Sequence, residues 1–259
     1  MAEAFLTLEK QGKIARLVLA HPPVNALGTG MIRALNQALD EIGQDATLSV
    51  LHIKSSLKVF CAGADLAEMR ANFADASRID QQIEDIRAIQ KVLKRIEALP
   101  LVSLAEIGGA AMGGGFELAL ACDLRVAASE AKLALPETNL GLIPGAGGTQ
   151  RLTNLVGAAM AKRLILGAEI LDGATAQALG LVQWAVPRAD LSAYADALLQ
   201  RLAGLPGAAL AAAKSCIEAA HDPHRDGYEE ELTATRRLLS TQPETRQRVE
   251  AFLNKESPA

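Results

Sequence analysis

The chain has 259 residues, with 26 basic and 30 acidic residues that give a formal net charge of −4. Half of the residues are hydrophobic, but only 3% are aromatic. This length allows one large domain with a sizeable core. The acidic balance provides no overall positive field, and the scarcity of aromatic residues argues against stacking platforms, so we expect no nucleic-acid partner.

The cysteines and the apolar segments bear on the compartment. Three cysteines without CxxC spacing are typical of reduced thiols. The first residues lack the basic and then apolar layout of a signal peptide, and glycine, proline or charge breaks each apolar stretch before a membrane-spanning length. We therefore predict a cytoplasmic protein that does not enter a membrane.

The N-terminal part alternates strand and helix patterns. Two strand-like runs, 5–8 and 14–20, indicate a hairpin joined by residues 9–13. A helix with one apolar face follows, for which Thr29 is the predicted N-cap and Gly43 the end. Residues 50–53 then indicate a buried strand.

A polar segment and a long helix come next. Residues 68–82 are polar apart from Met69 and Phe73, which predicts a mobile lid over a pocket. The next residues predict a long helix that ends before a proline. One stripe at helical spacing, mainly apolar, is formed by Ile83, Ile86, Gln90, Leu93 and Ile96. Residues 101–107 indicate a further strand.

A glycine run, residues 113–115, follows that strand and precedes an apolar run that reads as a short buried helix. Consecutive glycines let the backbone turn tightly or approach another molecule closely. Within this apolar run lies Glu117, a carboxylate that would be costly to bury without partners or a task. We therefore expect chemistry at this point of the chain.

The second half contains another candidate site and a helical end. Strand patterns at 123–128 and 132–135 lead to Glu137 and a glycine-rich loop at 140–148, after which Thr149 is a predicted helix cap. The alternation of strands and helices continues to about residue 187, which favours an α/β fold. Beyond it the chain is helical and rich in Ala and Leu, as expected of a region used for self-association.

Several familiar sites are absent from the sequence. There is no HExxH, GxSxG, GxxxxGK or strand-bounded GxGxxG motif, and the four histidines show no ligand spacing, so we predict no metal site. Cys61 beside a small-residue loop is an alternative nucleophile, but no candidate base is indicated and a buried small residue is commoner.

Two loops could supply backbone N–H donors to one site. These are the small-residue loop at 62–65 and the glycine run, and such donors stabilise charge that develops on a carbonyl oxygen. The alternative is two tight turns without a ligand. Glu117 and Glu137 favour a site if they face each other, because one carboxylate can take a proton while the other donates one.

Three long motifs in this order give the chain a specific resemblance. They are residues 60–66, residues 109–123 and residues 136–152, which read FCAGADL, GAAMGGGFELALACD and PETNLGLIPGAGGTQRL. The sequence resembles the enoyl-CoA hydratase/isomerase family, also called the crotonase family, over nearly its whole length. The resemblance implies an α/β crotonase (ClpP-like) spiral of β-β-α units in residues 1–189, with a C-terminal helical trimerisation region in residues 190–259.

The resemblance also implies roles for named residues. The N–H groups of Ala64 and Gly114 would form an oxyanion hole, Glu117 and Glu137 would be the catalytic glutamates, and Gly145 would help to hold a water molecule. No cofactor is expected beyond the coenzyme A of the substrate. The residues expected to bind the thioester are Val24, Asn25, Ala26, Lys58, Ala62, Ala64, Asp65, Leu66, Gly114 and Lys255, with the two lysines as phosphate contacts.

The activity implied is the addition of water to a 2-enoyl-CoA to give a 3-hydroxyacyl-CoA, by a homotrimer or a dimer of trimers. Two glutamates favour a hydratase, since isomerases of this family commonly rely on one acid and some hydrolases retain part of the pair. An isomerase or an acyl-CoA hydrolase remains the alternative. An RNA-binding member of the family is less favoured, and tight, salt-dependent RNA binding in a gel-shift assay would identify it.

Overall fold

The computed structural model describes residues 5–73, 78–220 and 222–256, and the side chains of residues 71–73, 255 and 256 are outside that description. The strands are β1 Leu6–Gln11, β2 Ile14–Leu19, β3 Val50–Ser55, β4 Val102–Ile107, β5 Ala111–Met112, β6 Leu124–Ala128, β7 Lys132–Ala134, β8 Leu171–Asp172 and β9 Trp184–Val186. The helices are α1 Thr29–Gly43, α2 Leu66–Phe73, α3 Ile79–Ala98, α4 Gly114–Leu120, α5 Gly148–Leu166, α6 Gly173–Ala178, α7 Leu191–Ala203, α8 Gly207–Ala219, α9 Gly227–Thr241 and α10 Pro243–Glu256. A 3-10 turn spans Glu137–Leu140.

Six strands form the larger sheet, in the order β1-β2-β3-β4-β6-β9. The hairpin of β1 and β2 is antiparallel, and the remaining pairs are parallel. The central strands are buried apolar runs such as Val50–Ile53, as expected of parallel strands covered on both faces. Helix α7 packs across β3, β4 and β6.

A second, smaller sheet of β5, β7 and β8 extends through two isolated bridges, Leu27 with Ala64 and Cys61 with Ala111. Each of the strands β2, β3, β4 and β6 belongs to the larger sheet, and each is followed in the chain by a short segment that joins this second layer. The predicted α/β spiral of β-β-α units is confirmed. Its effect is to stack short segments from successive turns beside one another.

The C-terminal helices differ from one another in burial. Helix α7 buries an apolar stripe that belongs to the core, formed by Leu191, Ala195, Leu198, Leu199 and Leu202. Large apolar side chains are instead exposed on α8 to α10, including Ile217, Leu232, Leu239 and Phe252. The boundary at residues 189 and 190 stays a prediction. Among the described residues, each helix is too short or too polar to cross a bilayer.

Local predictions at helix starts were less accurate. Gly28 and Gly147 are the N-cap residues of α1 and α5, so the predicted caps Thr29 and Thr149 are wrong. The N–H and hydroxyl of Thr29 instead donate to Oε2 of Glu68, at 3.1 and 3.2 Å. The predicted lid, residues 68–82, contains most of α2 and the first turn of α3, and its residues 74–77 lie outside the described residues.

Candidate active site

A cavity of about 620 Å³ lies between the small-residue loops and α3. Its lining includes five predicted catalytic residues, Ala64, Gly114, Glu117, Glu137 and Gly145. On the opposite side it is lined mainly by apolar side chains, among them Leu66, Met69, Ile79, Ile83, Ile86, Leu140, Leu142 and Ile143. The structure therefore brings residues from four separate segments of the sequence to one cavity.

Glu117 lies on α4 and is only 2% exposed. Its Oε1 accepts hydrogen bonds from the N–H groups of Ala146 and Gly148, at 2.8 and 2.7 Å. Burial, together with the smaller effect of the Glu137 charge, raises the pKa of Glu117 to about 7, against the opposing effect of the two N–H donors. This carboxyl group can therefore exist in either protonation state near neutral pH.

Glu137 begins the 3-10 turn on the other side of the glycine run. Its Oε2 is buried and has no hydrogen-bond partner among the residues that the structure describes. Burial raises the pKa of Glu137 above its usual value. A buried oxygen without a protein partner that faces a cavity is available to a water molecule or a substrate.

Two positions next to these carboxylates require glycine, because the carboxylate oxygens lie too close to the backbone for a Cβ atom. At Gly113, φ is +52°, and a Cβ would lie 2.8 Å from Oε1 of Glu137. A Cβ at Gly148 would lie 2.9 Å from Oε1 of Glu117. Any larger residue at either position would therefore displace a carboxylate or a loop.

The N–H groups of Ala64 and Gly114 meet at the same end of the cavity. A Cβ on Gly114 would lie 3.5 Å from the nitrogen of Ala64, which shows how closely the two loops approach. Leu27 donates its N–H to the carbonyl of Gly63 at 2.8 Å, which fixes the first loop. Within the described part of the chain, neither N–H donates to another residue. The geometry is compatible with the predicted oxyanion hole, whose role stays a prediction.

The other predicted substrate contacts occupy different positions. Ala62 and Leu66 line the cavity, and Oδ1 of Asp65 accepts from the N–H groups of Ala67 and Glu68, at 2.8 and 3.1 Å. Asp65 therefore caps α2 with its side chain. Its predicted contact with the substrate remains untested.

The segment at residues 24–26 supports the loop beside the cavity. The carbonyl of Val24 accepts from the N–H of Ala62 at 3.0 Å, and Ala26 is half-buried next to it. The buried side chain of Asn25 donates to Ser55 Oγ at 2.8 Å and to the carbonyl of Phe60 at 2.9 Å. The Asn25 side chain is thus engaged in holding the loop, and its predicted contact with the substrate remains untested.

The two predicted phosphate contacts are less well defined. Lys58 is exposed on the loop after β3, and its side chain does not line the cavity. Lys255 lies in the last turn of α10, and its side chain is outside the described residues. Both contacts remain predictions.

The alternative nucleophile, Cys61, does not have the surroundings of a reactive thiol. It is fully buried, and its Sγ donates to the carbonyl of Asn25 at 3.0 Å. Burial raises the pKa of this thiol to about 12, so that it is not a thiolate at neutral pH. Within the described ranges, no three His, Cys, Asp or Glu side chains come together as a metal site would require.

Sequence reasoning missed the residues that hold the loop over Glu117. Arg151 donates to the carbonyl of Ala146 at 2.7 Å and makes a two-point ion pair with Glu97, at 2.6 and 2.7 Å. Gln90 donates to the carbonyl of Gly145 at 2.7 Å. The only signal for Gln90 was a polar residue in an otherwise apolar helical stripe, and Arg151 appeared only as the end of a motif.

Comparisons with known proteins identify the family of this chain. The family model described as enoyl-CoA hydratase/isomerase matches residues 9–259. The mitochondrial methylglutaconyl-CoA hydratase of Rattus norvegicus is 46% identical over 159 residues, which cover 61% of this chain and 49% of that protein. The match therefore spans about half the length of that relative.

Two bacterial proteins match over almost their whole length. A protein of Bacillus subtilis (strain 168) named "Probable enoyl-CoA hydratase" is 36% identical over 252 residues, which cover 95% of this chain and 94% of that protein. The crystal structure of an enoyl-CoA hydratase from Bacillus anthracis has a TM-score of 0.90 and 31% identity, covering 99% of this chain and 98% of that one. The chain belongs to the enoyl-CoA hydratase/isomerase family.

Proposed function

We propose that this protein is an enoyl-CoA hydratase, which adds water to a 2-enoyl-CoA to form a 3-hydroxyacyl-CoA. The observation that carries the proposal is the pair of carboxylates, buried Glu117 and half-buried Glu137, on the same cavity as the N–H groups of Ala64 and Gly114. This arrangement combines acid–base groups with donors for a developing oxyanion. No cofactor is proposed, because coenzyme A is part of the substrate.

In the proposed reaction, the thioester oxygen accepts hydrogen bonds from the Ala64 and Gly114 N–H groups. A water molecule between the two glutamates attacks C3 as one carboxylate takes its proton, and the electron pair of the double bond moves toward the thioester oxygen. A proton is then delivered to C2, which gives the 3-hydroxyacyl product. Loss of one such N–H donor costs about 3 kcal/mol of transition-state stabilisation in comparable sites.

The protonation of the two carboxylates supports these roles. With its pKa raised to about 7, Glu117 can exchange a proton at neutral pH, and burial also raises the pKa of Glu137. General acid–base catalysis is most effective when the pKa of the group is close to the working pH. Because the two groups interact, their titration belongs to the pair.

The test is to supply crotonyl-CoA and identify the products by chromatography and mass spectrometry. We expect 3-hydroxybutyryl-CoA from the wild type, and a loss of about 100- to 10,000-fold in rate for Glu117→Gln and for Glu137→Gln. Glu9→Gln, on the exposed edge strand, is the matched control with unchanged activity. Normal hydration by either cavity variant would contradict the two-acid proposal.

The same assay separates the alternative activities. A substrate whose double bond lies between C3 and C4 tests an isomerase, which would return the 2-enoyl thioester without adding water. Release of free coenzyme A thiol would identify a hydrolase. A wild type that gives either product, and no 3-hydroxyacyl-CoA, would contradict the hydratase proposal.

The acyl group is proposed to be apolar, because one side of the cavity is formed by Ile79, Ile83 and Ile86. Arg87 also lines it, but its Nη1 is paired with Glu84 at 2.7 Å. This favours an uncharged acyl chain over one that ends in a carboxylate, such as the methylglutaconyl group named for the rat relative. Rates with two thioesters of equal length, one of them carrying a terminal carboxylate, would test this preference.

A homo-oligomer, a trimer or a dimer of trimers, is part of the proposal. Helices α9 and α10 expose Leu232, Leu239 and Phe252 to 64%, 66% and 60%, which is more apolar surface than a helix pair usually leaves uncovered. Light scattering coupled to size-exclusion chromatography would give the mass of the particle. We expect Leu239→Lys to shift that mass downward, and a monomeric wild type would contradict the proposal.

A further inference from the structure

The hydrogen bonds around Glu117 continue through one peptide group to a side chain on α3. The N–H of Ala146 donates to Oε1 of Glu117 at 2.8 Å. The carbonyl of the same peptide group belongs to Gly145 and accepts from Nε2 of Gln90 at 2.7 Å. Gln90, the peptide group and Glu117 therefore form a continuous chain of hydrogen bonds.

The other donor to Glu117 is held in a different way. Gly148 donates to Oε1 at 2.7 Å, and the carbonyl of its peptide group is that of Gly147. This carbonyl accepts from the N–H groups of Gln150 and Arg151, at 3.1 and 3.0 Å, in the first turn of α5. The helix backbone thus fixes one donor peptide, whereas the other depends on a side chain.

Gln90 lines the cavity as a polar residue in an otherwise apolar stripe of α3. Its neighbours on the same stripe, Ile86 and Leu93, are apolar, and Ile89 beside it is buried. An unbranched apolar residue of similar size would continue that stripe. The amide group is accounted for by the carbonyl of Gly145, since a polar group on a largely apolar wall needs a partner.

The peptide that Gln90 holds is one that can rotate easily. Gly145 has no Cβ, so its backbone has access to more conformations than any other residue would allow. Rotation of the peptide group would turn the Ala146 N–H away from Glu117. A donor fixed to the Gly145 carbonyl prevents this rotation and polarises the peptide, which strengthens the N–H as a donor.

We propose that Gln90 is a positioning residue for Glu117, acting through the peptide group between Gly145 and Ala146. The role rests on the proposed hydratase function, in which Glu117 exchanges a proton with water. Gln90 would not touch the reacting atoms through this contact. It would set the direction and strength of one of the two donors that stabilise the carboxylate form of Glu117.

A loss of this contact has a defined electrostatic sign. Glu137 from the 3-10 turn and Arg151 from α5 are the charged groups that influence Glu117, and neither is altered by a change at Gln90. A weaker N–H donor stabilises the ionised form less. The pKa of Glu117 would therefore rise further.

The test compares Gln90→Met, which keeps the length of the side chain without a donor, with wild type. We expect kcat for crotonyl-CoA to fall about fivefold, the factor equivalent to one hydrogen bond of ~1 kcal/mol, with KM within about twofold. The limb of the pH–rate profile near pH 7 should move to higher pH. Gln81→Met, exposed on the same helix, is the matched control with wild-type kinetics.

A second variant and a second measurement allow the role of Gln90 to be tested even if Gln90→Met is unstable or the wild type is inactive on crotonyl-CoA. Gln90→Glu retains the shape and adds a negative charge, so it should raise the pKa of Glu117 more than Gln90→Met does. The pKa is measured directly by NMR titration of ¹³C-labelled glutamate carboxyls, with the Glu117 signal assigned from its loss in Glu117→Gln. This titration succeeds or fails whether or not the wild type hydrates crotonyl-CoA.

The outcomes separate the two proposals. An inactive wild type would overturn the hydratase proposal, while a raised Glu117 pKa in the uncharged Gln90→Met variant would still support the positioning contact. An active wild type with unchanged kcat, pH profile and Glu117 titration in the variants would overturn the role of Gln90. A lower melting temperature with unchanged pKa would identify a packing role and would also overturn it.

Discussion

The two walls of the cavity are built on different principles. The wall that carries Glu117 and Glu137 consists of backbone N–H groups, one buried and one half-buried carboxylate, and glycines whose missing Cβ atoms leave the necessary space. The other wall consists of apolar side chains from α2, α3, the 3-10 turn and the loop that follows it, several of which are exposed, such as Ile79 at 57% and Ile143 at 71%. The first, fixed wall therefore has no room for an added atom at these glycines, whereas an exposed side chain of the second, variable wall can be replaced without such a clash.

Among the changes that leave both carboxylates in place, the largest effect is expected from a methyl group added to the fixed wall. In Gly113→Ala, the new Cβ would lie 2.8 Å from Oε1 of Glu137, so the carboxylate must move. A displacement of this kind lowers hydration by about 100-fold. The measurement is kcat for crotonyl-CoA.

The control for Gly113→Ala is Gly180→Ala. Gly180 also has a positive φ, of +79°, but nothing lies within 4 Å of the new Cβ. Gly180→Ala therefore tests an alanine at positive φ without a neighbouring carboxylate. Equal losses of activity in both variants would show that backbone strain, and not the displacement of Glu137, causes the loss of activity in Gly113→Ala.

The second effect is on the pH dependence of stability, in which buried Glu117 should differ from the exposed acidic residues. Its folded pKa of about 7 is above the usual 4.5, so the stability that the protonated form contributes is present below pH 4.5 and lost as pH rises through 7. We expect the free energy of unfolding of Glu117→Gln, relative to wild type, to rise by about 3 kcal/mol between pH 4 and pH 8. Urea denaturation at several pH values measures it.

Glu9→Gln again provides the comparison, because Glu9 is exposed and has no part in the cavity. Its difference from wild type should be the same at pH 4 and pH 8. A flat difference for Glu117→Gln as well would mean that the two N–H donors fully compensate for burial. Ionisation of Glu117 in the fixed wall would then not lower the free energy of unfolding.

The third effect tests the variable wall. Ile79 and Ile86 are seven residues apart on one helix, which corresponds to about 10 Å along its axis. An acyl chain longer than crotonyl would bury more CH₂ groups along this stripe. We expect kcat/KM to rise about fourfold for each added CH₂, at ~0.8 kcal/mol per group, until the chain leaves the cavity.

Ile83→Ala locates this dependence. It should lower kcat/KM about fivefold for a long-chain substrate and leave crotonyl-CoA unchanged, because the short chain does not reach Ile83. Leu205→Ala, between α7 and α8, is the control. Equal losses with short and long substrates would contradict the assignment of α3 as the acyl wall.

The smallest effect is expected where the variable wall is attached to the rest of the fold. Glu68 on α2 accepts from the N–H and hydroxyl of Thr29 at the start of α1, and both groups are exposed. Glu68→Ala should lower the free energy of unfolding by about 0.5 kcal/mol, as for a surface cap. Glu229→Ala, exposed on α9, is the control, and a loss of several kcal/mol would show that α2 is held much more firmly.

Local sequence patterns were sufficient for much of the fold. The apolar stripe of α1, the strand at β3 and the end of α3 before Pro100 each follow from spacing within a short window. The caps at Thr29 and Thr149 were wrong because glycines took both N-cap positions, and the partner of Thr29 lies on another helix. The choice between caps depended on contacts that no local window contains.

The candidate site shows the same division. Glu117, Glu137, Ala64, Gly114 and Gly145 were grouped through the family motifs, and all five line one cavity. Gln90 and Arg151 were missed because their role is visible only once α3 and α5 are placed against the loop over Glu117. The stripe on α3 was predicted as a single apolar face. In the structure, the first half of that stripe lines the cavity and the second half packs in the core.

The stacking of short segments from successive turns has a consequence for folding. Ala64, Gly114 and Glu137 belong to three different turns, so their meeting point depends on the pairing of Cys61 with Ala111 and of β5 with β7. These are non-local contacts, which form slowly and only after the loop entropy between them has been overcome. A slip of one residue in either pairing would turn each side chain to the opposite face. Recovery of hydration during refolding would therefore report the completion of the second sheet, and it would follow the appearance of helical signal.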